Sequence, residues 1–201
     1  MANLRTALLL SGGMDSIAIA FWKRPELAIT IDYGQRAALA EIRAAEAVAD
    51  DIGIELQIIR ADLGHLGSGD MAGNQAANVA PVPEWWPFRN QMLITLAAMK
   101  AIPLGVERLL IGTLKTDRQH ADGTPAFVHG MNEVLRMQEG AITIEAPAIE
   151  LSASELVRTS GVSMDILAWA HSCHVGEHAC GMCRGCRKHY ETMAELGVGP
   201  Y

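Results

Sequence analysis

A chain of 201 residues, half of them hydrophobic and 19% charged, carries enough apolar surface for one ordinary core, which excludes a wholly disordered protein. A net charge of −7 with no long basic block argues against a protein whose main task is gripping nucleic acid by its phosphates, while leaving room for a local contact. No apolar run nears the ~20 residues that cross a bilayer. The apolar N-terminal stretch ends on a glycine turn instead of a cleavage site, so a cytoplasmic protein is expected.

In chain order, TALLL (6–10) reads as a buried strand that runs through SGGMDS into a helical pattern, MDSIAIAFWKR. LAITID (27–32) is a second strand. The Ala-rich stretch after it places Leu39, Ile42, Ala45, Val48 and Ile52 at helical spacing and ends on Gly53, a suitable C-cap. ELQIIR (55–60) is a third strand. Residues 61–88 lack a period and are rich in Gly, Ala, Asn and Pro, as a functional loop would be. The end of that loop, PVPEWWPFRN, reads either as a ligand wall or as Trp85 and Trp86 packed as a lid on the core. A helical pattern (89–105) then leads to the strand RLLIGT (108–113) and a second loop, TDRQHADGTP. Strands alternating with helices give an α/β fold, a doubly wound and mostly parallel sheet with helices on both faces. Ligands of such sheets sit beyond the carboxyl ends of the strands. The loops SGGMDS, DYGQR and TDRQHADGTP should therefore converge on one crevice.

A Ser-Gly-Gly-x-Asp-Ser turn between strand and helix presents backbone amides without Cβ obstruction at a helix N-terminus, with hydroxyls from Ser11 and Ser16 beside them. That combination suits an anion. The Walker A pattern and its lysine are missing, as is G-x-G-x-x-G. A carboxylate at Asp15 beside phosphates is sensible with Mg²⁺, which takes carboxylate and phosphate oxygens together.

The four cysteines, Cys173, Cys180, Cys183 and Cys186, fall within 14 residues as C-x6-C-x2-C-x2-C. A secreted disulfide framework would spread them. Four thiolates with no open position describe a structural zinc site. A ferredoxin-type cluster would want a further C-x3-C-P, and Cys186 is followed by RKHYE. His171, His174 and His178 read as ordinary loop residues.

The string SGGMDS after an apolar strand resembles the PP-loop of the N-type ATP pyrophosphatases. Together with the cysteine cluster it makes the chain resemble the QueC-type 7-cyano-7-deazaguanine synthases nearly end to end. LLLSGGMDS, IDYGQR, PFRNQMLITLAA, LLIGT, APAIELSASELVR and SCHVGEHACGMCRGCRKH carry that resemblance. It implies a five-stranded PP-loop α/β domain over 1–150 and a helical segment over 151–201 that holds zinc on Cys173, Cys180, Cys183 and Cys186. It implies ATP with Mg²⁺ on Ser11, Gly12, Gly13, Asp15, Ser16, Asp32, Tyr33 and Gln35, with Arg89 and Lys115 steadying the adenylate. Arg89, Asn90, Asp117 and Asp122 would meet the substrate, 7-carboxy-7-deazaguanine. Its carboxylate would be adenylated and then taken to an amide and a nitrile with ammonia. A homodimer without membrane or stable nucleic-acid partners is also implied.

The chain departs from the family where the base is recognised. The D-Y-S-G-Y-P-D-C-R-P-E-F pattern has become DRQHADGTPAF, with Gly123 and Thr124 in place of Cys and Arg, and Ala37 and His171 replace a usual His and Trp. Three alternatives stand beside this reading. One is a relative, as in bacterial defence systems, that joins a deazaguanine acid to another amine such as a protein terminus. Another is a tRNA-thiolating PP-loop enzyme. The third is a zinc ribbon that binds nucleic acid through Arg184, Arg187 and Lys188.

Overall fold

The computed structural model describes residues 4–199. Its sheet has five strands, β1 (Thr6–Leu9), β2 (Leu27–Asp32), β3 (Glu55–Arg60), β4 (Arg108–Leu110) and β5 (Thr143–Glu145), in the order β3-β2-β1-β4-β5. Every neighbouring pair is parallel, with Leu8 between Ala28 on β2 and Leu110 on β4. The strand order reverses beside β1, so the loops after β1 and β4 part there and leave a crevice.

Period-two alternation sends neighbouring side chains to opposite faces. Leu8, Leu10 and Leu110 pack with Ile17 of α1 (Met14–Lys23), Val48 of α2 (Ala38–Ile52) and Leu156 of α5 (Ala153–Ser160). Ala7, Ile29 and Leu109 pack on the other face with Ile94 of α3 (Arg89–Ala101) and Leu135 of α4 (Pro125–Arg136). A one-turn helix, α6 (Met164–Leu167), and the 13-residue α7 (Arg184–Leu196) follow. Residues 151–167 join the first core through Leu156, Val157 and Leu167.

Three local expectations need correction. The strand expected at 108–113 pairs only over Arg108–Leu110, because the chain then bends into the cavity. On α2 the expected stripe holds at Ile42, Ala45, Val48 and Ile52, but Leu39 is 56% exposed, and Ala38, Ala40 and Ala44 are buried in addition, so the helix lies close against the glycine turn. The fifth strand, β5, is only three residues long, too short to be picked out even though Ile144 is buried between half-buried Thr143 and exposed Glu145. Gly53 does close α2, at φ 69°.

Helix α5 is anchored by reciprocal capping, with Ser152 Oγ accepting from Glu155 N and Glu155 Oε2 accepting from Ser152 N. Ser152→Ala is expected to lower stability by about 1 kcal/mol, a shift of a few degrees in the melting temperature measured by circular dichroism.

Candidate active site

The loops after β1, β2 and β4 meet the 61–88 loop and the first turns of α7 around a cavity of about 330 Å³. On its floor lies the glycine turn. Gly12 adopts φ 73° and packs so closely on α2 that a Cβ there would sit 2.5 Å from the Glu41 carbonyl oxygen. No side chain caps the start of α1, so its first amides stay available to a ligand. Ser11 Oγ and Ser16 Oγ lie 3.2 Å apart beside them.

Lys188, one turn into α7, reaches across this floor. Its Nζ donates to Asp15 Oδ2 at 2.7 Å and lies 3.7 Å from Asp117 Oδ1. Burial raises the Asp15 carboxyl above its usual range despite the ammonium beside it. Burial also works against the Lys188 charge, and the Asp15 and Asp117 carboxylates outweigh it and hold its pKa above the ordinary lysine value. Two carboxylates gathered round one cation are hard oxygen donors that fit Mg²⁺.

One wall is aromatic. Trp86 is buried edge-on against Tyr33, ring centroids 4.9 Å apart, and half-buried Trp85 lies beside it at the cavity. Trp86 packs in the core, and both tryptophans line the cavity. Arg89 begins α3 after Phe88, which is held at φ 55°. Arg89 Nη1 donates to the Met71 thioether at 2.8 Å, and the guanidinium, which also hydrogen-bonds the Tyr33 side chain, faces the cavity.

The opposite wall holds a chain of charges. Buried Glu84 accepts from Arg184 at 2.7 Å, and the same Arg184 Nη1 lies 3.0 Å from His120 Nε2. His174 lines the cavity too. Burial, with Arg89 and other charges nearby, pushes its pKa down to about 4, and its Nδ1 has no partner among the described residues.

Of the residues expected at the site, Ser11, Gly13, Asp15, Ser16, Tyr33, Arg89, Asn90, Asp117 and Asp122 line the cavity. Gly12, Asp32, Gln35 and Lys115 stand outside its lining. Gln35 acts one layer back. Its Oε1 accepts from Tyr33 N at 2.8 Å, and its Nε2 donates to Ile31 O at 3.1 Å and to Glu41 Oε2 at 2.7 Å. Asn90 is already engaged, its Nδ2 donating to Asp122 O and its backbone amide to Asp122 Oδ2.

Glu41, Glu84 and His120 were not singled out by sequence; Arg184 and Lys188 were read only as a nucleic-acid face, and His171 and His174 only as loop residues. No local signal marks Glu41, which meets the glycine turn only because α2 packs on it.

Burial raises Glu41 from an ordinary 4.5 to about 6. A carboxyl raised on folding contributes stability that is fully present below pH 4.5 and lost as pH rises through 6. The loss is about 2 kcal/mol. Glu41→Gln keeps an acceptor for Gln35 and has no charge to bury. Urea unfolding from pH 4 to 7 should show wild type losing stability relative to the variant by that amount. Curves that stay parallel would exclude Glu41 as the source.

The four cysteine sulfurs lie within 4.8 Å of one another. Backbone amides of His174, Met182, Cys183 and Cys186 donate to two of them, Cys180 and Cys183, which favours thiolates there. The set fits one tetrahedral ion such as Zn²⁺. A four-iron cube, with a thiolate on each corner iron, needs its thiolates farther apart. Every cysteine of the chain is in this cluster, so no further thiol is left for sulfur transfer. Arg184 and Lys188, read in one alternative as a nucleic-acid face, turn inward to carboxylates.

Comparison with known proteins places these features. The family model described as Queuosine biosynthesis protein QueC matches residues 5–197. The 7-cyano-7-deazaguanine synthase of Chlorobium phaeobacteroides (strain BS1) is 30% identical over 214 residues, covering 97% of this chain and 94% of that protein. The synthase of Acidobacterium capsulatum is 33% identical over 205 residues, covering 90% and 88%. Among solved structures, the U34-tRNA thiolase NcsA from Methanococcus maripaludis with its 4Fe-4S cluster aligns with a TM-score of 0.53. It covers 98% of this chain and 68% of that one at 16% identity, a likeness of fold alone.

Proposed function

The chain belongs to the QueC family, whose enzymes are ATP-dependent ligases forming 7-cyano-7-deazaguanine, and on that premise we propose that it adenylates the carboxylate of 7-carboxy-7-deazaguanine. The observation that carries this reading is the meeting, in one cavity, of an uncapped glycine turn, paired carboxylates and an aromatic wall beside an arginine.

A carboxylate is a poor electrophile. Its oxygen attacks the α-phosphorus of ATP and pyrophosphate leaves, which gives an acyl adenylate. Ammonia attacks the acyl carbon and AMP leaves, giving the amide. A second adenylation, now on the amide oxygen, followed by loss of AMP and a proton, gives the nitrile.

The protein's part is positioning and charge. Amides at the start of α1, with the Ser11 and Ser16 hydroxyls, hold the departing pyrophosphate. Asp15 and Asp117 would hold Mg²⁺, which when bound neutralises phosphate charge. Arg89 faces the adenylate, and Tyr33, Trp85 and Trp86 give a planar base a surface to lie on. Asp122 caps α3 through Oδ2 and the backbone, so at most one carboxylate oxygen is left for a base edge. Zn²⁺ on the four cysteines would be structural.

The test mixes zinc-loaded protein with Mg-ATP and 7-carboxy-7-deazaguanine, with and without ammonium. Nitrile by mass spectrometry and released pyrophosphate, both ammonium-dependent, are expected. Pyrophosphate without nitrile would redirect the reading to another amine acceptor. No turnover while ATP still binds would sink the substrate.

A further inference from the structure

The glycine turn carries no lysine of its own, yet a lysine stands over it. Lys188 is 173 residues from Asp15 in sequence and 2.7 Å from it in space. It shares the cavity with Ser11, Gly13 and Ser16. We propose that Lys188 is the phosphate-binding lysine of this site, held on Asp15 and Asp117 until a triphosphate arrives, and set in register by the four-cysteine site. The proposal rests on the ATP reading above.

Three observations support it. The ammonium sits on Asp15 and Asp117, the carboxylates read above as Mg²⁺ ligands, so cation and lysine compete for them. A lysine displaced from them has the uncapped start of α1 within the same cavity. A compact ammonium on a flexible stem can follow a phosphate through such a change, where a planar guanidinium would want a fixed fork.

The register argument is local. Cys183 caps α7, its Sγ accepting from Cys186 N at 3.4 Å. Lys188 follows Cys186 by two residues, so the two cysteines anchor the turn from which it projects. Gly185 between them presses on the chain beneath. A Cβ there would lie 1.9 Å from Ser172 O and 2.7 Å from the His174 ring. Helix α7 therefore has one seating, and a bound metal would lock it.

A counterion role for Lys188 must be told apart from a phosphate contact. Binding of inorganic pyrophosphate in magnesium-free buffer, followed by calorimetry, separates them. Lys188→Met should weaken binding about 10- to 100-fold, as loss of one charge-assisted contact would. Lys188→Arg should restore only part of it. Asp15→Asn, which releases the lysine, should tighten binding.

The deciding variant is Asp15→Asn with Lys188→Met. If Lys188 touches phosphate, the double variant stays weak. If Lys188 only masks Asp15, removing both charges restores wild-type affinity, and the proposal falls. Metal-depleted wild type, checked for retained circular dichroism, should bind pyrophosphate as weakly as Lys188→Met. Unchanged affinity would remove the link to the cysteines. Wild-type protein that binds neither pyrophosphate nor ATP would instead overturn the nucleotide site itself.

Discussion

Cys186→Ser is expected to abolish stoichiometric zinc binding and to unseat α7. Cys186 is fully buried, and it sits one helical turn or less from both Cys183 and Lys188. Apparent zinc binding in small four-ligand modules is worth about 10–16 kcal/mol and appears as folding energy. Outside this cluster the 168–183 segment has little regular structure to hold it, and its own hydrophobic cluster is made of the cysteines with Val175 and Tyr190. Losing one thiolate should therefore lower stability by several kcal/mol and expose the cavity. Zinc content by mass spectrometry and urea unfolding of the same sample would check it. A variant that keeps wild-type stability without metal would show that α7 is held by packing alone.

Gly12→Ala is the second large effect. The methyl would meet the Glu41 carbonyl oxygen at 2.5 Å and Ala44 Cβ at 2.9 Å, neither of which is the end of a flexible side chain. At φ 73° an alanine also carries a left-handed cost of about 1–2 kcal/mol. Overpacking adds about 1–3 kcal/mol. The turn must then move, and about 1 Å at a reacting group can cost roughly 100-fold in rate. Gly13→Ala makes the contrast. Its φ is −80° and its Cβ would find only ordinary contacts, at 3.5 and 3.7 Å. Pyrophosphate release should collapse in the first variant and be within about tenfold of wild type in the second. Equal losses would show that any side chain in the turn obstructs phosphate, with no special role for the Gly12 approach to α2.

What was legible in the sequence is what neighbouring residues state together. The glycine turn, β2 as LAITID, and the cysteine cluster each write their chemistry within a dozen or so positions, and each lies where that text places it. The two lysines show the limit. Lys115 follows a strand whose loop should approach the site, and Lys188 follows a cysteine; nothing local separates them. Topology does, because α7 folds back over the start of α1 while Lys115 opens a turn whose amide is tied to Leu151. The Glu84–Arg184 pair joins residues 100 apart and was invisible for the same reason. Leu39 misled because alanine counts weakly in a hydrophobic pattern, and here alanines let a helix press on a glycine.

The Asp15–Lys188 pair also has a consequence for synthesis. Translation adds about 5–20 residues per second, so roughly 10–35 s separate the appearance of the aspartate from that of the lysine. Throughout that interval a nascent chain carries the glycine turn without the cation and without the cysteines that seat it. Products that stop early would be left with the glycine turn uncovered, and the proposed activation of a carboxylate would wait for α7.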